Sequence, residues 1–288
     1  MIEVIRTAAD MTSAMVRWTK ENKSTGFVPT MGALHEGHIS LVQASLREND
    51  ITILSVFVNP TQFNNPSDLE KYPRNLDKDL DLLNKLGDVV VFAPEIQEIY
   101  PDGTNLIQRI DLGFLEQTME GRHRPGHFQG VVQVVQRLLC IVPASKLYMG
   151  QKDFQQFTII RHMLYVWKSK IQLVICPIIR EENGLAMSSR NERLSSEARY
   201  KAGEIFQILQ WIKKHIQHNS TDNLLNEARK MLDDRSLSPE YLEIVDCTTL
   251  HPIKNIKEGL CAVVCIAVWV DGVRLIDNVI LYGKLTPA

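Results

Sequence analysis

The chain has 288 residues, 44% apolar and 23% charged, with 32 basic and 34 acidic side chains for a net charge near −2. This is length enough for one large domain or two, with a sizeable core, and the composition is that of an ordinary globular protein. No basic run points to a nucleic-acid groove or a polybasic membrane face, the opening MIEVIRTAADMTSAMVRW lacks a signal-peptide core, and the longest apolar run, 260–270, is too short to span a bilayer.

In chain order, Asp10 or Thr12 is expected to cap a first helix carrying Met11, Met15, Val16 and Trp18. The stretch from Phe27 to Val42 then organises the rest. It reads as a short apolar strand at 26–29, a loop with two glycines and two histidines, and a helix with Ile39, Val42 and Leu46 on one face. Such a helix start is expected to leave backbone N–H groups unpaired, and with the helix dipole they would form a phosphate site. Further buried strands are expected at 51–58, 88–93, 146–149 and 171–179, and a more exposed one at 105–112. Helices are expected at 75–86, 127–142 and 154–167. This β-α-β alternation predicts a doubly wound parallel sheet.

The pattern changes after about 179. Helices at 196–218 and 221–232 precede strands at 241–247, 260–270 and 273–281, with Asp271-Gly272 as a hairpin turn. The expected organisation is a Rossmann-like domain at 1–179 and a smaller α+β domain at 180–288. Cys140, Cys176, Cys247, Cys261 and Cys265 lie in apolar surroundings, are odd in number and form no CxxC pair. They read as reduced core thiols of a cytoplasmic protein.

Four segments offer chemistry. His35-Glu36-Gly37-His38 has histidines at i, i+3 around a glycine, not the i, i+4 of a helical zinc site, and no third ligand, so no metal site is expected. Placed where a strand ends and a helix begins, the histidines can donate to phosphate oxygens, and Gly32 and Gly37 would let backbone approach a nucleotide. Gly150-Gln151-Lys152-Asp153 opens a second helix: Lys152 supplies a charge for phosphates, Asp153 an acceptor for ribose, and Gln156 a contact for a small polar substrate. Taken alone it would be an ordinary helix turn with a solvated Lys-Asp pair. Met187-Ser188-Ser189-Arg190-Asn191 reads either as an anion clamp or as a linker with a helix cap. Gln62, beyond the end of a strand, is a substrate-contact candidate, whereas Asn59 and Pro60 read as turn formers. His123 and His127, separated by Pro125-Gly126, are not expected to share a helix face.

Taken together, PTMGALHEGH (Pro29 to His38), VFVNPTQF (Val56 to Phe63), RPGHFQGV (Arg124 to Val131), GQKDFQQ (Gly150 to Gln156) and MSSRN (Met187 to Asn191) resemble the pantoate–β-alanine ligase family. The HxGH element alone would indicate only the wider nucleotidyltransferase superfamily, and its pairing with a late Met-Ser-Ser-Arg loop is similar to class I aminoacyl-tRNA synthetases. The resemblance implies a Rossmann-like domain with a smaller C-terminal domain covering the site. It implies ATP-dependent condensation of pantoate with β-alanine through pantoyl adenylate, magnesium accompanying ATP, a homodimer and a cytoplasmic location. It places Met31, Gly32, Ala33, Leu34, His35, Glu36, Gly37 and His38 along the ATP site, with His38 the family's proton donor and His35 beside it on the phosphates. It adds Gly150, Gln151, Lys152 and Asp153 on ribose and phosphate, the Ile179 backbone on adenine, and Met187, Ser188, Ser189 and Arg190 closing over the nucleotide. Gln62 would contact pantoate and β-alanine, and Gln156 pantoate. Gln151 departs from the family's usual glutamate, which changes the local charge balance. Another nucleotidyltransferase would share HxGH but lack the Gln62 and Gln156 pair. A non-catalytic ATP-binding scaffold would have lost one of His38, Lys152 or Arg190, and all three are present.

Overall fold

The near-continuous apolar segments become the middle of a parallel sheet covered on both faces. The computed structural model describes residues 2–63, 69–70, 72–103, 109–217, 220–255 and 260–285. In it β1 (Ile2–Ile5), β2 (Thr25–Thr30), β3 (Ile51–Val56), β4 (Val89–Phe92), β5 (Lys146–Gly150) and β6 (Gln172–Cys176) pair in the order β1-β4-β3-β2-β5-β6. All these pairings are parallel. From β2 the chain winds outward through β3 and β4, while β5 and β6 lie on its other side. The direction of winding therefore reverses between β2 and β5, and open sheets bind ligands beyond the strand ends at such a point.

Some expectations need correction. β1 was not expected; with only Ile5 buried, it has no apolar run to announce an edge strand. The first helix, α1 (Ala8–Lys20), is capped by Thr7 rather than Asp10 or Thr12. Thr7 Oγ1 accepts the Asp10 N–H at 3.1 Å, and its hydroxyl donates to the Asp10 carboxylate at 2.7 Å, which leaves Asp10 in the first turn. Of the strand expected at 105–112, residues 109–112 are not extended in a sheet, and 104–108 lie outside the described residues. The helix expected at 196–218 is two, Ser196–Ala202 and Glu204–His215, broken at Gly203, against which the Asn183 carbonyl packs; residue 218 lies outside the described residues.

β7 (Ser238–Asp246), β8 (Ala262–Val270) and β9 (Val273–Tyr282) form the antiparallel sheet expected at the C-terminal end. Asp271 and Gly272 both have positive φ, 49° and 71°, as a two-residue type I′ hairpin requires. One face of this sheet packs on the helices Glu204–His215 and Thr221–Asp234, with Leu209, Ile212, Leu224, Leu232, Val264 and Ile266 in one core. Val245, Val263 and Cys265 instead join the core of the parallel sheet, beside Phe154 and Phe157. The small sheet is thus buried from two sides.

The cysteines also depart from expectation. Cys247 and Cys261 are disulfide-bonded, with Cα atoms 5.3 Å apart, and Cys140 is exposed; Cys176 and Cys265 are the buried free thiols. The antiparallel register sets Asp246 opposite Ala262 and so brings Cys247 beside Cys261, a pairing that sequence spacing does not show.

β2 lies very close to α2 (Glu36–Glu48) at Gly26. A Cβ there would overlap Ser45 Oγ and come within 2.6 Å of Asn49 Nδ2 and 2.9 Å of Tyr148 Cε2. Gly26→Ala is therefore expected to lower unfolding stability by about 1–3 kcal/mol through overpacking. Urea denaturation checks this, and an unchanged midpoint would refute it.

Candidate active site

The loop after β2 commits its backbone N–H groups to the chain itself. Gly32 N–H donates to Thr30 Oγ1 at 3.2 Å. Ala33 and Leu34 donate to the two carboxylate oxygens of Asp79, at 3.0 and 2.7 Å. Asp79 is buried and stands on the helix Leu76–Leu83. Burial raises its pKa, and the two N–H bonds pull it back. At the start of α2, His35 Nδ1 accepts the Gly37 N–H at 3.1 Å, and His38 Nδ1 accepts the His35 N–H at 3.3 Å. This is a capping box built from two imidazoles. The expected cradle of open N–H groups is therefore corrected: those of Gly32, Ala33, Leu34, His35 and Gly37 are already paired.

The two histidines take over the donor role. A ring nitrogen that accepts from an N–H bears no proton, so each neutral ring carries its hydrogen on Nε2. The rings lie 4.1 Å apart. Burial, then the charge of Lys152, lowers His35 to about 4; burial, then His35 and Lys152, lowers His38 to about 3. Both are neutral hydrogen-bond donors near neutral pH. Gly37 lines the pocket and also serves the cap: a Cβ there would meet the His35 ring at 2.8 Å.

At the end of β5, Lys152 lines the pocket, its ammonium 3.9 Å from the half-exposed Asp153 carboxylate. Gln151 turns away. Its side chain donates to Asn278 Oδ1 at 3.0 Å and its N–H to the Cys176 carbonyl at 2.8 Å. The next helix, Phe154–Val166, separates two neighbouring glutamines. Gln155 is buried, accepting the Glu120 N–H at 2.9 Å and donating to the carbonyls of Leu115 and Thr118 at 2.7 and 2.9 Å. Gln156 faces the pocket.

Gln62 is held from three sides. Its Oε1 accepts from Asn59 Nδ2 at 3.2 Å, its Nε2 reaches Met31 Sδ at 3.0 Å, and its carbonyl lies 2.8 Å from His127 Nδ1. A carbonyl only accepts, so His127 carries its proton on Nδ1; burial, then Arg124, lowers its pKa to about 4. Asn59, read as a turn former, is a buried hub that also donates to the Gly130 carbonyl at 3.1 Å and accepts from the Tyr100 hydroxyl at 2.9 Å. Asn59, His127 and Asp79 escaped the sequence reading because their partners are remote. The apolar wall of Val131, Val134, Val135 and Leu138 was legible in principle: its i, i+3, i+4, i+7 spacing marks one face of the helix His127–Ile141.

On the far side, Met187 N–H donates to the Ile179 carbonyl at 3.0 Å. Ser188 Oγ accepts the Arg190 N–H at 3.3 Å, so this serine caps a short helix, and it lines the pocket as well. One cavity of about 220 Å³ brings together Met31, His35, Gly37, His38, Gln62, Gly150, Lys152, Asp153, Gln156, Ile179, Met187, Ser188, Ser189 and Arg190. Gly32, Ala33, Leu34, Glu36 and Gln151 are not on its wall. A chamber of about 100 Å³ adjoins it and shares Met31, Gln62, Lys152, Asp153, Gln156 and Arg190. Two cations and two neutral N–H donors against one carboxylate suit a polyanion, and the apolar wall suits a small branched carbon skeleton.

Residues 3–280 match the family model described as Pantoate-beta-alanine ligase. A pantothenate synthetase of Azobacteroides pseudotrichonymphae is 46% identical over 283 residues, covering 96% of this chain and 99% of that protein. One of Cytophaga hutchinsonii is 44% identical over 265 residues, covering 91% and 93%. The crystal structure of pantothenate synthetase from Thermus thermophilus superposes with a TM-score of 0.89 at 38% identity, covering 98% of this chain and 100% of the other. The pantoate–β-alanine ligase of Francisella tularensis, complexed with β-γ ATP and β-alanine, gives 0.80 at 34% identity, covering 98% of each.

The histidine tautomers predict a pH dependence. Folded pKa values near 4 and 3, below the unfolded 6.5, mean the unfolded chain binds more protons between those values. The stabilisation from His35 and His38 is full above the unfolded pKa and declines as pH falls toward the folded values. Imidazole ¹⁵N spectra from about pH 8 to about pH 5 should show Nε2–H for both residues and Nδ1–H for His127, without titration. An inflection near the ordinary histidine pKa for His35 or His38 would contradict this.

Proposed function

The chain belongs to the pantoate–β-alanine ligase family, and from that premise we propose how its pocket performs the ATP-dependent joining of pantoate to β-alanine to give pantothenate, AMP and pyrophosphate. The reading rests on one observation: His35, His38, Lys152 and Arg190 meet Gln62 and Gln156 around a single cavity.

In this reading ATP lies along the wall formed by Met31, Gly37 and His38, Gly150, Lys152 and Asp153, Ile179, and Met187 to Arg190. The pantoate carboxylate attacks the α-phosphorus, pyrophosphate leaves, and pantoyl adenylate remains. The β-alanine amine then attacks the acyl carbon and releases AMP. Each nucleophile comes from a substrate, so the protein has to align reactants and stabilise phosphate charge. Lys152 supplies a point charge, and Arg190 with Ser188 and Ser189 closes over the phosphates. Neutral His35 and His38 offer Nε2–H bonds to oxygens that gain charge, so the role of His38 is hydrogen-bond donation. Asp153 accepts from ribose.

Gln62, with its Oε1 occupied by Asn59, presents amide hydrogen to pantoate and then to β-alanine, and Gln156 binds pantoate. The wall of Val131, Val134, Val135 and Leu138 matches the two methyl groups on pantoate's quaternary carbon. A rival nucleotidyltransferase acting on a phosphate ester would have little use for this wall or for the glutamine pair. Magnesium enters as part of the MgATP substrate. Residues 1–179 form the nucleotide and pantoate domain and 180–288 the closing domain, in a cytoplasmic homodimer; no helix among the described residues is long and apolar enough to cross a membrane.

Lys152→Ala is expected to fold normally and to slow pyrophosphate release from ATP and pantoate by about a hundredfold or more, the ~3 kcal/mol of one lost charge-stabilising donor. His38→Ala should fall in the same range. Near-normal release by either purified variant would sink the assignment. AMP formation from ATP and pantoate, with and without β-alanine, identifies the second step.

A further inference from the structure

The last strand of the C-terminal sheet reaches the pocket through two adjacent residues. Asn278 is 1% exposed. Its Nδ2 donates to the backbone carbonyls of Gln151 and Lys152, both at 3.0 Å, and its Oδ1 accepts from Gln151 Nε2 at 3.0 Å. The amide thus puts both donors, and one acceptor bond, on a turn more than a hundred residues away in sequence. Its neighbour Asp277, also buried, takes a two-pronged bond from Arg180, at 2.7 and 2.9 Å. Arg180 directly follows Ile179, and its guanidinium also stacks 3.7 Å from the centre of the Phe206 ring. Successive residues of a strand point to opposite faces. β9 therefore ties down the Gly150–Asp153 turn from one face and the segment after Ile179 from the other.

A buried amide is costly unless it is fully paired, and apolar side chains would join the two sheets as well. What the amide adds is direction: it fixes the orientation of the Gln151 and Lys152 carbonyls, and so the peptide from which the Lys152 side chain leaves. Its ion-pair partner Asp153 is 3.9 Å away, beyond hydrogen-bond length, so that pair does not fix the ammonium.

We infer that Asn278 is a positioning residue for adenylate formation, acting through Lys152 by holding the two carbonyls of the Gln151-Lys152 turn. The inference rests on the assignment of Lys152 to the nucleotide phosphates. Sub-ångström alignment matters most for groups that meet developing charge, so loss of the clamp should appear in the rate of the first step more than in pantoate binding.

The test is a cycle of Asn278→Leu, Lys152→Ala and the double variant, followed by pyrophosphate release, with Leu275→Ala as the comparison. Leu275 lies on the same strand but in the core of the C-terminal helices. Asn278→Leu should slow adenylate formation about tenfold or more, with pantoate KM changed less than about twofold. The double variant should be no slower than Lys152→Ala, because the clamp has nothing left to position. Leu275→Ala should lower the melting temperature at least as much and keep the wild-type rate. Amide exchange at Gln151 and Asp153 should accelerate in Asn278→Leu. An unchanged rate in Asn278→Leu, losses that multiply in the double variant, unchanged exchange at the turn, or equal slowing by Leu275→Ala would each overturn the inference while leaving the Lys152 assignment intact. Near-normal activity of Lys152→Ala would remove that assignment, and the inference with it. Should Asn278→Leu not fold, Asn278→Ser, which keeps one donor, enters the same cycle with an intermediate loss expected.

Discussion

The site depends on where the N–H groups of the loop after β2 are placed. A strand that runs straight into a helix ordinarily offers those groups to an anion. Here Asp79 takes two of them and the imidazoles of His35 and His38 take two more. The loop is thereby tied down through its own backbone, and the donors it keeps at the pocket are the Nε2–H groups of the two rings. Pairing Nδ1 with a peptide N–H does two things at once: it selects the tautomer and it opposes protonation. A charged imidazole would have to give up its cap, and burial beside Lys152 disfavours the charge further. These donors are thus preorganised and keep their form across the neutral range.

A second constraint holds the small sheet against the large one. Glu120, buried on the short helix Met119–His123, receives Arg274 of β9 at 2.9 and 2.8 Å and the Tyr241 hydroxyl of β7 at 2.8 Å. Burial alone would raise the Glu120 pKa, but Arg274 outweighs it and holds the carboxyl low. Arg274 also pairs with Glu240. Buried ion pairs add little net stability over apolar packing, but they are directional, and removing one partner leaves a stranded charge at a cost of about 3–5 kcal/mol. The contact between the sheets is therefore specific in register. The backbone of Glu120 is in turn held by Gln155, one residue before the pocket-facing Gln156. The sheet interface and the pocket wall share a helix.

Much of the architecture was legible because its signals are local. Apolar runs marked the central strands, Asp271-Gly272 marked the hairpin, and each chemical motif lies at a strand end or helix start as read. What escaped lacked a local signal. β1 has too little buried surface to show a period, and Cys247 meets Cys261 only through strand register. Asp79 looks like any charged residue on an amphipathic helix until the loop after β2 folds over it. Asn59 and His127 were judged by what their neighbours in sequence could do, whereas their partners are Tyr100, Gly130 and Gln62. At Gly37 the reading missed a second reason for the glycine, the side chain two residues back that needs the space. Most motif residues assigned to the site line the pocket, but Gly32, Ala33, Leu34, Glu36 and Gln151 do not, and Asn59, which does, was read as a turn former.

Gln155 and Gln156 have one further consequence. Consecutive helical residues are rotated by about 100°, so identical side chains one step apart have opposite duties: one anchors the interior, the other faces the cavity. The turn that precedes them is pinned at its own carbonyls, and the helix is pinned by Gln155. Nothing between these two anchors can absorb an added or deleted residue. The segment from Gly150 to Gln156 should therefore tolerate no change of length, since one residue more or less would turn Gln155 and Gln156 out of their separate places.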